Sequence, residues 1–234
     1  MKKSLLFICI LAVIASCKKD DNLTINQNEV TLHHDSTFKL TANYACTYST
    51  VDSTVAKVAA DGTVTGVLVG STTILVKAIG QLATCKVTVT PVSNLYKEPY
   101  LIFGSTVASV KSYEQRDLLS ETTTMLFYSG ENSNTLMVLY SFENGKLESS
   151  LVMLNNSALV AEALTTYMKE RYYYLGYSDP YYLFSNKKGI LAAISVQETL
   201  GLNVIYTKES YKGLESATGS ILKAQNQLTG KLCK

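Results

Sequence analysis

Ser53-Thr54-Val55-Ala56-Lys57-Val58, then Asp61-Gly62-Thr63-Val64-Thr65-Gly66-Val67, then Gly70-Ser71-Thr72-Thr73-Ile74, is the stretch whose reading decides the fold of the first part of this chain. Apolar and polar residues alternate within each run, which puts the apolar ones on one face of a half-buried strand. Asp61-Gly62 marks a tight hairpin, because glycine takes positive φ at no steric cost. Outward from this centre, 28–32, 37–42 and 83–89 show the same alternation between turn signals. Short strands at this spacing predict a β-sandwich over residues 23–91, with Val55 and Ile74 in its core.

These residues also carry a family resemblance. The three runs resemble the core of the bacterial immunoglobulin-like domain of group 2, which reads roughly S-x-V-A-x-V, then G-x-V-T-(A/G), then G-x-(A/T)-x-I. The resemblance implies an immunoglobulin-like sandwich that serves adhesion or display in some members and acts as a spacer in others. That family usually has a tryptophan shortly before the Val-Ala pair. This chain has no tryptophan and offers Tyr48, whose hydroxyl needs a partner if it is buried. Cys46 and Cys85 flank the centre of the segment. In a secreted domain they form either a disulfide, worth roughly 3–4 kcal/mol in the chain-entropy model, or two core thiols.

The amino terminus sets an address. Lys2-Lys3, an apolar run from Leu5 to Ile14, and Ala15-Ser16-Cys17 have the order of a signal peptide over residues 1–16. The run is short for a bilayer span, which takes roughly 20 residues. Ile14-Ala15-Ser16-Cys17 resembles a lipobox, which implies acylation of Cys17 with palmitate-type chains and anchoring in a membrane through lipid. Lys18-Lys19-Asp20-Asp21, in the linker 17–22, resembles the acidic export signal that surface lipoproteins of some Gram-negative gut anaerobes carry. The expected location is the outer membrane, exposed at the cell surface. Beyond Cys17 the chain has 19 basic and 19 acidic residues, since only Lys2 and Lys3 lie in the leader. A neutral body argues against nucleic acid as a partner.

A connector at 92–98, bracketed by Pro91 and Pro99, leads to a second region of different texture. The pattern predicts a strand at 99–104, a short helix at 105–114 capped by Ser105 or Thr106, and strands at 123–128, 136–142 and 147–154. A longer helix from 157 to about 173 and strands at 181–184, 190–196 and 202–206 follow. The order suggests an α+β domain over 99–208, helices on an antiparallel sheet, in two similar halves. Residues 104–147 faintly resemble the helix-plus-hairpin domains of outer-membrane assembly lipoproteins and β-lactamase-inhibitor-like folds. The tail, 209–234, carries Leu214, Ile221, Leu222 and Leu228 at helical spacing, weakened by three glycines, and reads as a frayed helix or as disorder.

Catalytic chemistry is poorly supplied. His33 and His34 are the only histidines, so the second region has no imidazole for a triad, and a histidine-based zinc site is not expected. Glu114, Asp117, Glu121, Glu143 and Glu148 are read as solvated surface charge, and isolated Cys233 carries no expected role. No cofactor or metal is expected. One cluster stands out, with six tyrosines in the eleven positions from Tyr172 to Tyr182. Tyrosine offers large contact area at low entropy cost, so Tyr172, Tyr174, Tyr177, Tyr181 and Tyr182 form a candidate binding patch. The competing reading packs alternate members under the helix-to-strand connection and leaves two or three exposed. The expected function is a non-catalytic, lipid-anchored surface protein that binds a protein or glycan. An assembly accessory of the outer membrane is the alternative, and a hydrolase built on a carboxylate pair is a remote one.

Overall fold

The structure, a computed structural model, describes residues 22–197 and 201–210. The expected leader at 1–16, Cys17, the charged residues as far as 21, and the tail from 211, with Cys233, lie outside the described residues.

The first region is a sandwich of seven strands: β1 (Glu29–Leu32), β2 (Thr37–Lys39), β3 (Thr47–Thr50), β4 (Ala56–Val58), β5 (Thr63–Gly66), β6 (Gly70–Ala78) and β7 (Gln81–Val89). One sheet runs β1-β7-β6-β3 and the other β2-β5-β4. Their facing side chains, including Leu40, Val55, Val64, Ile74, Val76 and Val87, form one buried cluster. Val55 and Ile74 are core residues, as the alternation predicted. β3 was missed by pattern, because in Thr47-Tyr48-Ser49-Thr50 only the tyrosine is apolar enough to register a face. The Tyr48 hydroxyl donates to the Leu40 carbonyl at 3.2 Å, so the partly buried phenol satisfies its polar end. Burial pushes its pKa up to about 12.

Gly62 closes the β4–β5 hairpin at φ +83°. A side chain there would also place its Cβ 2.2 Å from the Leu40 carbonyl oxygen. The expected bridge between Cys46 and Cys85 is corrected: both are free thiols, Cys85 buried and Cys46 half-buried. The register explains why. Thr50 pairs with Ile74 and Ile74 with Cys85, so Cys85 shares a row with Thr50, while Cys46 precedes β3 at its other end. Two strand spacings and four residues along the strands separate them by well over about 7 Å, the limit for a disulfide.

The second region is one antiparallel sheet of eight strands in the order β12-β13-β14-β15-β11-β10-β9-β8. These are β8 (Leu118–Glu121), β9 (Met125–Ser129), β10 (Thr135–Glu143), β11 (Lys146–Leu154), β12 (Tyr173–Ser178), β13 (Tyr181–Ser185), β14 (Ile190–Gln197) and β15 (Gly201–Lys208). Two helices, α1 (Val107–Tyr113) and α2 (Ala158–Arg171), contribute Val110, Val160, Leu164, Tyr167 and Met168 to one cluster with Tyr140, Val152, Val204 and Tyr206 of the sheet. Two similar halves are therefore replaced by a single sheet, since β15 inserts between β14 and β11. Residues 99–104 are not a strand. Their apolar side chains Tyr100, Leu101 and Phe103 instead pack against the helix-side core from a loop.

Local chemistry explains the element ends. Thr106 caps α1 by accepting from the Ser109 amide, and Ser157 caps α2 by accepting from the Val160 amide. Asn144 and Gly145 take positive φ and turn β10 into β11. The segment 92–98 is more than a connector, because Leu95 and Tyr96 enter the helix-side core. The buried Tyr96 hydroxyl shares a hydrogen bond with that of Tyr206.

Candidate functional site

The tyrosine cluster folds into the β12–β13 hairpin at one end of the sheet. Pairings of Tyr174 with Phe184 and Tyr177 with Tyr182 frame a bulge at Leu175, where Gly176 pairs with Leu183 at φ +137°. Strict alternation would send residues 174 and 177 to opposite faces. The inserted residue resets the alternation, so Tyr174, Tyr177, Tyr182 and Phe184 stand on the same face. Tyr174 and Phe184 rings lie 5.3 Å apart and Tyr177 and Tyr182 rings 4.9 Å apart. Tyr174, Tyr177 and Tyr182 are 58%, 56% and 51% exposed. The Tyr177 hydroxyl donates to Asp179 at 2.7 Å, beside the cis Asp179–Pro180 peptide in the turn. That bond to a carboxylate raises the Tyr177 pKa.

Two members of the expected patch are not surface groups. Tyr172 is 4% exposed, sits at the end of α2 and donates its hydroxyl to Glu98. Tyr181 is buried on the opposite sheet face with Leu151 and Ile205. The cluster thus divides into anchors, Tyr172 and Tyr181, and an exposed aromatic face of three rings. Tyr173 is half-buried, with the Lys187 ammonium 4.0 Å above its ring.

A second feature lies where the sandwich meets the end of α2. A cleft of about 160 Å³ is lined by Val55, Leu68, Glu98, Arg171, Tyr172 and Lys188, among others. Its walls are held by several bonds between the two regions. The Glu170 carbonyl accepts from the Val69 amide at 2.8 Å, and the buried Glu170 carboxylate accepts from the amides of Val92 and Ser93. Arg171 donates to the Ser93 carbonyl at 3.0 Å and lies over the Tyr167 ring at 3.8 Å. Lys188 pairs with Asp52 at 2.6 Å. Burial raises the Glu98 pKa, against the pull of the Tyr172 hydroxyl and Arg171.

Glu98 and Glu170 escaped the sequence reading because neither has a motif around it. Both gain their setting from residues more than seventy positions away. Glu114 is a correction. It was read as solvated, but its carboxylate is fully buried and accepts two bonds from Arg116 at 2.9 Å and one from the Tyr140 hydroxyl at 2.6 Å. Arg116 also donates to Glu131 at 2.6 Å and to the Lys97 carbonyl. This network ties the 97–100 loop to the sheet. Glu121 pairs with Lys111 at the surface. His33 and His34 occupy the turn after β1, with their rings on the carbonyls of Thr90 and Val67. Among the described residues, no group of three or more His, Cys, Asp or Glu side chains is placed to hold a metal.

No family model matches the chain, and no curated protein matches it. Among solved structures, domains 5–6 of the S-layer protein SbsC align with 81% of this chain and 84% of theirs at 12% identity, with a TM-score of 0.26. A larger piece of the same protein, domains 4–9, aligns with 82% of this chain and 27% of its own length at 13% identity and a TM-score of 0.27. Overlap at this level establishes neither a shared fold nor a shared role.

Proposed function

We propose that this chain is a non-catalytic, lipid-anchored protein of the outer cell surface that binds a protein or glycan through the aromatic face of the β12–β13 hairpin. The observation that carries this reading is the division of the tyrosines. Tyr174, Tyr177 and Tyr182 are exposed together on one face, while Tyr172 and Tyr181 root the hairpin in the body of the sheet. Contact residues on a rigid base lose little entropy on binding, and tyrosine joins apolar area to a polar tip. The sandwich then acts as a stalk between the lipid at Cys17 and the hairpin. Adhesion or display is the role that its resemblance to group 2 immunoglobulin-like domains implies.

Two experiments separate the parts of this proposal. Fractionation of cells grown with labelled palmitate tests the anchor, with label and membrane retention expected for the wild type and lost in Cys17→Ala. Capture of partners from intact cell surfaces and from a glycan array tests the face. Partners are expected to bind the wild type and to be lost with Tyr174→Ser/Tyr182→Ser. Equal capture by both proteins would remove the hairpin as the contact.

A further inference from the structure

We infer that the turn between β6 and β7 rests on a lipid surface, with Ile79 and Leu82 entering its headgroup layer and upper acyl chains. The inference rests on the proposed acylation of Cys17 and names the part of the sandwich that the anchor brings to the membrane. The turn is apolar where water favours polar residues: Ile79 is 55% exposed and Leu82 56%. Ala78 pairs with Gln81, so Ile79 and Gly80 form a two-residue turn, and both take positive φ, +47° and +74°. Such turns favour Asn, Asp or Gly at the first of these positions, and a β-branched residue at positive φ is a steric outlier. The turn therefore holds an apolar side chain out at its tip against its own backbone preference. An outlier of this kind points to a role for the side chain beyond the fold.

The position of the turn decides what it meets. The Leu23 amide donates to Gln81 Oε1 at 2.8 Å. The Thr24 amide donates to Asn43 Oδ1 at 2.9 Å, and the Thr24 carbonyl accepts from the Asn43 amide at 3.2 Å, in the loop before β3. Thr47 pairs with Lys77, so that loop lies at the same end of β6 as the turn. Residues 23 and 24 are thus fixed beside the turn. The chain from Cys17 to Leu23 spans at most about 20 Å when fully extended. At the other end of β6, Gly70 pairs with Val89, and the preceding Val69 amide bonds the Glu170 carbonyl of the second region. The length of β6 puts that junction about 26 Å from the turn. Acyl chains at Cys17 therefore bring the membrane to the turn and not to the junction. Charge agrees, since from Ser71 to Cys85 the sequence holds one charged residue, Lys77, which pairs across the strands with Leu82. Its stem lies along apolar surface while its ammonium meets headgroup phosphates.

The sequence has no tryptophan, so a single introduced one reports its own surroundings. The full chain, expressed with its leader and carrying Leu82→Trp or Val92→Trp, is placed on vesicles of phosphatidylethanolamine and phosphatidylglycerol, with or without bromine on the acyl chains. Val92 is 64% exposed and lies at the junction, where its amide bonds Glu170, so it serves as the control. Both sites are exposed, and neither substitution disturbs the core. The Leu82→Trp probe should lose about half of its emission or more to brominated lipid, and the Val92→Trp probe almost none. Ile79→Asn, which suits the turn, should at least halve the quenching of the Leu82→Trp probe while vesicle retention stays the same. Equal quenching of the two probes, or quenching that Ile79→Asn leaves unchanged, would overturn the inference. So would a blue-shifted Leu82→Trp emission without bromine quenching, which reports contact with a second copy. Flotation tests the anchor separately. A chain that fails to float with the vesicles overturns the acylation of Cys17 and this inference together, whereas a chain that floats with an unquenched Leu82→Trp probe overturns the turn contact alone.

Discussion

The Lys188 ammonium lies 2.6 Å from the Asp52 carboxylate, joining the turn between β13 and β14 to the sandwich loop after β3. Bonds from Lys188 and Thr54 hold the Asp52 pKa down to about 2, below its ordinary 3.8. A depressed carboxylate stabilises the native state above its unfolded value, and this contribution is lost as pH falls through the folded value. The window is therefore about pH 4 down to about pH 2. Both side chains are partly exposed, so solvent and salt limit the pair to about 1 kcal/mol or less. Denaturant melts of wild type and Asp52→Asn should differ at pH 6 and converge near pH 2. A constant difference across that range would show that ionisation of Asp52 plays no part.

The divided tyrosine cluster predicts opposite outcomes at neighbouring positions. Tyr174→Ser/Tyr182→Ser removes exposed rings and should shift stability by about 1 kcal/mol or less, allowing for the loss of ring contacts within the hairpin. Tyr172→Ser empties a buried site, strands Glu98 without its donor, and should cost about 3–5 kcal/mol. Urea melts of the two proteins, side by side, check the assignment.

Arg116 is the hub of a buried charge network, with Glu114 fully buried and Glu131 partly so. Burial works against the ionised Glu131, but bonds from Arg116 and the Lys97 amide bring its pKa below the ordinary carboxylate value. Arg116→Met should leave Glu114 buried without its cation and cost about 3–5 kcal/mol. Lys111→Met, which breaks the exposed pair with Glu121, should cost less than about 1 kcal/mol. Comparable losses for the two variants would contradict the burial difference.

Gly62 and Gly80 separate backbone strain from crowding. Both have positive φ, +83° and +74°, but a Cβ at Gly62 would meet the Leu40 carbonyl while one at Gly80 has no neighbour within 4 Å. Gly80→Ala should cost about 1 kcal/mol from the left-handed backbone alone. Gly62→Ala should cost clearly more, because the carbonyl and the Tyr48 ring must move. Thermal melts of both variants measure the difference.

Local pattern carried much of the architecture. Alternation located most strands of the sandwich, and the cap at Thr106 and the turn at Asn144-Gly145 ended elements where their chemistry requires. It failed at 99–104, where apolar residues mark contact with a core but do not specify a ladder partner. It also failed at β12, where the Leu175 bulge changes which tyrosines share a face.

The sequence by itself determined the sandwich core, the neutral charge beyond Cys17 and the absence of an imidazole from the second region, because each is a matter of residue type and short-range order. Tertiary structure alone decided that Glu114 is buried, that Cys46 and Cys85 stand apart, that β15 enters the middle of the sheet, and that three of the five patch tyrosines face solvent. Those outcomes depend on strand order and register. Both are set by packing between segments distant in the chain, and no local run of residues encodes them.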